Sequence, residues 1–203
     1  MTKPKLVYFD AAVSRGEECR LALYLAGVDF DDVRVSHAEW ADLKPKTAYG
    51  SLPILEMPGF PPLAQTNAIL VFIGRQYGLH PKDAFHAAHH EAMMSHVEDL
   101  RSHVGPTLRI SDEAEKKKAR ANLSESYLPS WASNAERQID ETGPFFGGAA
   151  LQVVDLKLHR AVHWITSGII DDIPTTVFSD FPRLNRIFAE VRDHGKIKAW
   201  YSR

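Results

Sequence analysis

The chain has 203 residues, of which 44% are hydrophobic and 25% are charged, and its formal net charge at pH 7 is −2. This length suffices for one large domain or two small ones with a real core. The near-neutral charge argues against a nucleic-acid surface, and no apolar run approaches the ~18 residues of a membrane span. The single cysteine, Cys19, precludes an internal disulfide, and the N-terminus lacks a signal-peptide pattern. We therefore expect a cytoplasmic globular protein with neither a nucleic-acid nor a membrane partner.

The first part of the chain predicts a β-α-β order. Lys5–Phe9 is a strand, because apolar residues with high strand propensity dominate it. Ser14 and Glu17 have the spacing of a capping box, which predicts a helix from Ser14 to Gly27. Residues 30–35 form the second predicted strand, and the polar stretch that follows predicts no regular element.

A β-β-α unit is predicted next. Strands at 54–57 and 62–65 flank a Pro-Gly turn at 58–59, and this arrangement indicates an antiparallel hairpin. Thr66 is the predicted cap of a helix over 67–77, and Gly78 is its predicted left-handed stop.

After Pro81 the pattern predicts helices only. They cover residues 84–108, 113–141, 151–165, 182–191 and 196–201, and Pro129 should kink or interrupt the second of them. The helix that begins near Leu151 is apolar around most of its circumference, so we expect it at the centre of the second half. The predicted domains are residues 1–80 and 84–203.

The segment at 49–56, YGSLPILE, places a proline directly before a buried strand, where proline cannot donate a ladder hydrogen bond. Together with Gln65-Thr66 downstream, it resembles the soluble glutathione transferases of the tyrosine type, with sigma-like or pi-like character. The resemblance covers essentially the whole chain. It implies a thioredoxin-like domain with a mixed four-stranded sheet, followed by an all-helical domain. It also implies a cis Pro53, with the backbone of Leu52 pairing with the cysteinyl part of glutathione.

The resemblance implies a role for several further residues. Tyr8 matches the catalytic tyrosine whose phenol donates to the glutathione sulfur, and Arg15 matches the arginine that supports the thiolate electrostatically. The glutathione-binding residues implied are Trp40 and Lys44 for the glycine carboxylate, and Gln65 and Thr66 for the γ-glutamyl carboxylate.

Two further residues imply a homodimer. Asp99 matches an aspartate that reaches the γ-glutamyl amine of the partner's ligand, and Tyr49 matches the aromatic residue that some classes insert into the neighbouring subunit. By position, Val13, Gly105 and Arg109 line the second-substrate pocket, and Gly105-Pro106 should kink the helix beside it.

The implied activity is addition of the glutathione thiolate to a small hydrophobic electrophile, with glutathione as co-substrate and no metal. Isomerisation and peroxide reduction remain alternatives, as does a non-enzymatic ligand-binding or structural dimer. Two departures from the family pattern support the non-enzymatic alternative: the 9–14 loop is one residue longer than usual and lacks its glycine, and Ser51 replaces a common glutamine.

A metal site and a cysteine nucleophile are weaker candidates for a functional site. His86, His89 and His90 have the spacing of metal ligands, but no nearby acidic or cysteine residue completes a site, so a solvated helix start is the preferred interpretation. Cys19 lies inside a predicted helix among apolar residues, which disfavours it as a nucleophile.

Overall fold

The computed structural model describes residues 3–11 and 14–203, and its first half is a mixed four-stranded sheet with helices. The strand order is β2-β1-β3-β4, with β1 parallel to β2 and antiparallel to β3, and β3 antiparallel to β4. The sequence predicts this β-α-β, β-β-α order correctly. The elements are β1 (Lys5–Phe9), α1 (Ser14–Leu25), β2 (Asp31–Val35), α2 (His37–Leu43), β3 (Ile54–Glu56), β4 (Leu63–Ala64) and α3 (Thr66–Tyr77).

Helix α2 and the 3-10 turn Lys44–Lys46 that follows it are absent from the sequence prediction. The stretch is short and has no buried residue, so no apolar periodicity marks it. Its signal is instead a capping box, in which Ser36 and Glu39 bond each other's backbone N–H groups.

Two predicted caps are wrong. Ser14 is the first residue of α1, and the Glu17 carboxylate accepts from Arg20 and Trp200 instead of capping the helix. Thr66 is likewise the first residue of α3, with Gln65 at the N-cap position. The predicted left-handed stop at Gly78 is confirmed by its φ of 76°.

The second half is helical, as predicted. Its helices are α4 (Ala84–Val104), α5 (Glu113–Asn122), α6 (Leu128–Glu136), α7 (Val153–Thr166), α8 (Pro182–Asp193) and α9 (Gly195–Tyr201). Helix α4 ends before the predicted Leu108, and the chain continues as a 3-10 turn, Gly105–Arg109, that contains Pro106. Pro129 lies in the first turn of α6 just after a π-helical turn, Leu123–Tyr127, so the predicted interruption is confirmed. No helix in the described ranges has both the length and the hydropathy needed to cross a bilayer.

One hydrophobic core runs through both halves, and it sets the orientation of β1. Leu6 belongs to this core, in which α1 packs against α3 and α7. Val7, the next residue, belongs instead to a small cluster on the other face of the sheet, beside Trp40. Because side chains alternate along a strand, Tyr8 lies on the α1 face together with Leu6. Helix α7 is buried on nearly all sides, as predicted.

Candidate functional site

Tyr8 lies near the end of β1 with its ring against the first turn of α1. Its side chain is almost fully buried, with 7% of the residue exposed. The ring contacts Gly16 so closely that a methyl group there would lie 1.9 Å from Cδ1 of Tyr8. A glycine at this position therefore lets the helix approach the aromatic ring.

Burial favours the neutral form of Tyr8, while the charges around it act in both directions. Burial raises the pKa of the Tyr8 phenol, and Glu18 raises it further, whereas Arg15, Arg101 and the backbone N–H of Gly16 lower it. The net direction is upward, because removing a phenolate from water outweighs the two guanidinium groups. At neutral pH Tyr8 is therefore a hydrogen-bond donor.

Arg15 is held beside this phenol by a bidentate ion pair. Its Nε and Nη2 donate to one carboxylate oxygen of Glu98 at 3.0 Å and 2.6 Å. The side chain of Arg15 remains 40% exposed, so a ligand can still reach the guanidinium. The structure thus brings two of the predicted site residues, Tyr8 and Arg15, into electrostatic contact.

The peptide bond between Leu52 and Pro53 is cis, as the family resemblance implies. Ile54 is the first residue of β3 that pairs with β1 and β4, so Leu52 lies just outside the sheet ladder. The backbone of Leu52 is therefore placed where an extended peptide ligand could pair with it.

The start of α3 combines a buried hydroxyl with an unusual backbone conformation. Thr66 is 5% exposed, and its buried hydroxyl has no hydrogen-bond partner among the described residues. Gln65, just before it, has a φ of 73°, an unusual backbone conformation for a residue with a side chain. Buried hydroxyl groups are normally paired, and a helix N-terminus is a natural carboxylate site. The donors present therefore fit a carboxylate of glutathione.

The other two predicted carboxylate ligands lie on α2 and the turn after it. Trp40 is half-buried and packs edge-on against Phe9, the neighbour of Tyr8, with ring centroids 5.8 Å apart. Lys44 is exposed. Its Cε and Cγ atoms lie 3.7 Å and 3.9 Å from the position that a Cβ atom on Gly50 would take, which is an ordinary van der Waals distance. Within the described part of the chain, Lys44 has no ion pair.

The predicted dimer residues are on the surface. Asp99 is exposed on α4, where its backbone carbonyl accepts from His103, and Tyr49 is 67% exposed. Gly105 and Arg109 lie at the two ends of the 3-10 turn that follows α4, with Pro106 between them. Val13, the third predicted pocket residue, lies outside the described residues.

Four charged residues around Arg15 are absent from the sequence prediction. Glu18, Glu98, Arg101 and Lys157 form ion pairs across α1, α4 and α7. The available signal was Lys157, a charged residue inside α7, whose residues are buried on nearly all sides.

The remaining candidates do not form a second catalytic centre. Of the three histidines with the spacing of metal ligands, His86 pairs with Asp83 and His89 with Gln138, while His90 is buried rather than solvated. Among the described residues no cluster of three or more His, Cys, Asp or Glu side chains could hold a metal. Burial raises the pKa of the Cys19 thiol, which leaves it protonated. A cavity of about 570 Å³ between α1, β2 and α9 does not include Tyr8.

Two models of one protein family match this chain, one in each half. The family model described as "Glutathione S-transferase, N-terminal domain" matches residues 4–75, and the corresponding C-terminal domain model matches residues 98–203. Glutathione S-transferase 1 of Ascaris suum is 30% identical, with 98% of this chain and 96% of the relative covered. Probable glutathione S-transferase 8 of Caenorhabditis elegans is 29% identical at the same coverage.

Two solved structures superpose on nearly the whole length of this chain. Prostaglandin synthase D of Nilaparvata lugens superposes with a TM-score of 0.87 and 26% identity, covering 100% of this chain and 98% of the other. Monomeric Na-GST-3 of the hookworm Necator americanus superposes with a TM-score of 0.84 and 27% identity, at 99% and 97% coverage. The similarity therefore extends over both the sheet-containing half and the helical half.

Proposed function

The chain belongs to the glutathione S-transferase family, and from this premise we propose that Tyr8 activates glutathione in it for addition to an electrophile. The observation that carries the proposal is the buried, neutral phenol of Tyr8, packed on Gly16 with the Arg15 guanidinium beside it. A neutral phenol can donate a hydrogen bond to the glutathione sulfur, and a nearby cation favours the thiolate.

Each part of glutathione is assigned a set of contacts. The cysteinyl backbone pairs with Leu52 beside the cis bond to Pro53, and the sulfur lies at Tyr8. The unpaired hydroxyl of Thr66 supports a carboxylate at the start of α3. The assigned carboxylate ligands are Trp40 and Lys44 for the glycine end, and Gln65 and Thr66 for the γ-glutamyl end.

The reaction follows from the thiol chemistry. A free thiol has a pKa near 8.5, so most of it is protonated and unreactive at neutral pH. A hydrogen bond to a charged group contributes about 1.5–3 kcal/mol, which lowers a pKa by roughly one to two units. The thiol proton passes to solvent, and the sulfur lone pair forms a bond to the electrophilic carbon. As that bond forms, the π electron pair of a polarised double bond moves to the neighbouring atom, which takes up a proton from solvent, or a leaving group departs from the carbon with its bonding electron pair. For the second substrate we propose Gly105 and Arg109, on the 3-10 turn after α4, as pocket residues together with Val13.

The test is a single-atom change. Tyr8→Phe removes the phenolic hydroxyl and should lower kcat/KM with a conjugation substrate by about 10–100-fold, with little change in glutathione affinity. Tyr24→Phe is the matched control, because Tyr24 lies on α1 two turns beyond Gly16 and should retain activity. Full turnover in the Tyr8→Phe variant would remove Tyr8 from the mechanism.

Glutathione-dependent isomerisation is a second candidate function, favoured by the likeness to prostaglandin synthase D of Nilaparvata lugens. The two activities differ in their stoichiometry, because conjugation consumes glutathione whereas isomerisation regenerates it. An assay that follows both product and free thiol, with a panel of electrophiles and a prostaglandin precursor, separates them. Product formation without loss of thiol identifies an isomerase.

We also propose a cytoplasmic homodimer that detoxifies electrophiles. The reducing cytosol supplies glutathione and suits a chain with one buried cysteine. The exposed Tyr49 and Asp99 support a shared site between two copies. Na-GST-3 is described as monomeric, so the oligomeric state is a point on which members of this fold differ.

A further inference from the structure

Five charged side chains form a continuous ion cluster between α1, α4 and α7, and we call it the inter-helix ion cluster. Arg15 and Arg101 both donate to Glu98, with shortest distances of 2.6 Å each. Arg101 also bonds Glu18, whose other oxygen lies 3.4 Å from Nζ of Lys157. Lys157 closes the cluster with an ion pair to Glu98.

The inner part of the cluster is buried, whereas the side chains of Arg15 and Glu98 remain 40% and 30% exposed. The side chains of Glu18 and Lys157 are fully buried, and that of Arg101 is 4% exposed. Burying charges costs several kcal/mol each unless every one is paired. Because the desolvation of these charges is unfavourable, we expect the inter-helix ion cluster to have a role other than packing the two halves together.

Its position relative to Tyr8 indicates that role. Arg15 and Glu18 lie in the turn of α1 on which the Tyr8 ring packs, and they act on the phenol together with Arg101 from α4. Arg20 also faces the ring, at 5.7 Å from its centroid, but its guanidinium is compensated by Glu17 and Asp32.

The charges in the cluster do not balance. It contains three cations and two carboxylates, so one positive charge remains in excess. Both carboxylates are shared between cations, and Lys157, on the central helix α7, pairs with both of them. Burial raises the pKa of Glu98, but Lys157, Arg101 and Arg15 outweigh this and hold it at about 2, so Glu98 is charged throughout the physiological range.

We propose that Lys157 is a positioning residue for the glutathione thiolate, acting through Glu98. Because Lys157 and Arg101 share the Glu98 carboxylate with Arg15, Glu98 only partly compensates the Arg15 guanidinium. The resulting excess positive charge beside Tyr8 favours a bound anion over a neutral thiol. This inference rests on the proposed role of Tyr8 and extends it to residues that never touch the ligand.

The test measures the pKa of the bound glutathione thiol by ultraviolet titration of the thiolate in wild type and three variants. Lys157→Met removes the excess charge and should lower the thiolate-to-thiol ratio at neutral pH about tenfold. Glu18→Gln adds one excess positive charge and should raise that ratio. The double variant Glu18→Gln/Lys157→Met restores the wild-type excess of one and should return the ratio close to its original value.

Controls separate charge from folding. Lys116→Met removes another partly buried lysine paired to a carboxylate, Glu113, and should leave the thiol pKa unchanged. Should Lys157→Met fail to fold, Glu18→Gln alone still tests the proposal, because it predicts a change of defined sign.

The titrations distinguish failure of the role of Lys157 from failure of the proposed function. A wild type with no depressed thiol pKa overturns the role of Tyr8 and this inference with it. A depressed wild-type value that is the same in all three variants, or that shifts in one direction in both single variants, overturns only the role of Lys157.

Discussion

At the scale of single residues, the placement of Tyr8 depends on the absence of a side chain at Gly16. The space that a Cβ atom would need is occupied by the Tyr8 ring, with three ring carbons within 2.6 Å. Tyr8 is itself almost fully buried, so its ring cannot move aside without disturbing the sheet and α1.

Gly16→Ala should therefore displace the phenol from the sulfur site. We expect kcat/KM to fall by more than about tenfold and the melting temperature to drop, since overpacking costs roughly 1–3 kcal/mol. Gly195→Ala is the matched control, because Gly195 has open space around its Cα and an ordinary φ. Steady-state kinetics and thermal melts on both variants check this, and equal activity of the two would disprove the packing argument.

The sequence reveals some of these residues and hides others for a physical reason. Tyr8 and Arg15 belong to short local motifs that a linear pattern can display. Glu18 and Lys157 are 139 residues apart, and their pairing exists only because α1 packs on α7. Nothing in the local sequence around either residue specifies its partner.

At the scale of single elements, the N-terminus of α3 offers a buried donor to a ligand. The Thr66 hydroxyl is buried and has no partner among the described residues, and burying an unpaired hydroxyl is costly. A ligand carboxylate would remove that cost by accepting a hydrogen bond from it.

Thr66→Val should separate binding from stability. Replacing an unpaired hydroxyl by a methyl group should leave the melting temperature of the free protein unchanged or slightly higher, yet weaken glutathione binding about tenfold. Thr107→Val is the control, because that equally buried hydroxyl bonds the Val104 carbonyl at 2.8 Å. It should lose about 1 kcal/mol of stability and bind glutathione normally.

Calorimetric titration and thermal melts measure both quantities. Normal glutathione affinity in the Thr66→Val variant would exclude the start of α3 as the carboxylate site.

Element types follow from the sequence more reliably than element ends. The apolar pattern predicts each core strand and the central helix α7, because burial imposes periodicity on them. It fails for α2, whose helix has no buried face, and for the N-termini of α1 and α3. At those two ends Glu17 bonds Arg20 and Trp200, and the Thr66 hydroxyl has no partner among the described residues, so neither side chain caps its own helix.

At the scale of the whole molecule, the proposed dimer joins two surfaces that the chain leaves exposed. Tyr49 is a large aromatic side chain that is 67% exposed, and Asp99 is a carboxylate with no ion pair among the described residues. In the proposed dimer, Tyr49 inserts into the partner and Asp99 meets the α-amino group of the partner's glutathione.

Mutation of Asp99 should therefore affect glutathione binding, whereas mutation of Tyr49 should affect dimer stability. Asp99→Asn removes a charged hydrogen bond of about 1.5–3 kcal/mol and should weaken glutathione binding by roughly 10–100-fold while the dimer persists. Tyr49→Ala should loosen the dimer, whereas Phe85→Ala, a control at another exposed aromatic, should not. Sedimentation and titration distinguish these results. A wild type that sediments as a monomer at micromolar concentration, or normal binding by Asp99→Asn, would contradict the shared site.

The fold class follows from the sequence at this scale because its two halves have different periodicities. Strand-length apolar runs end before Pro81, and only helical patterns follow it, as the structure confirms. The single core that joins both halves could not be predicted, since a linear pattern marks which residues are buried without showing what buries them.

The central claim, that Tyr8 stabilises the glutathione thiolate, is tested most directly by titrating the ultraviolet thiolate band of bound glutathione in wild type and Tyr8→Phe. The wild-type complex should ionise roughly one to two pH units below a free thiol, whose pKa is about 8.5. In the Tyr8→Phe complex the midpoint should return most of the way to the free value. The same depressed midpoint in both complexes would contradict the account.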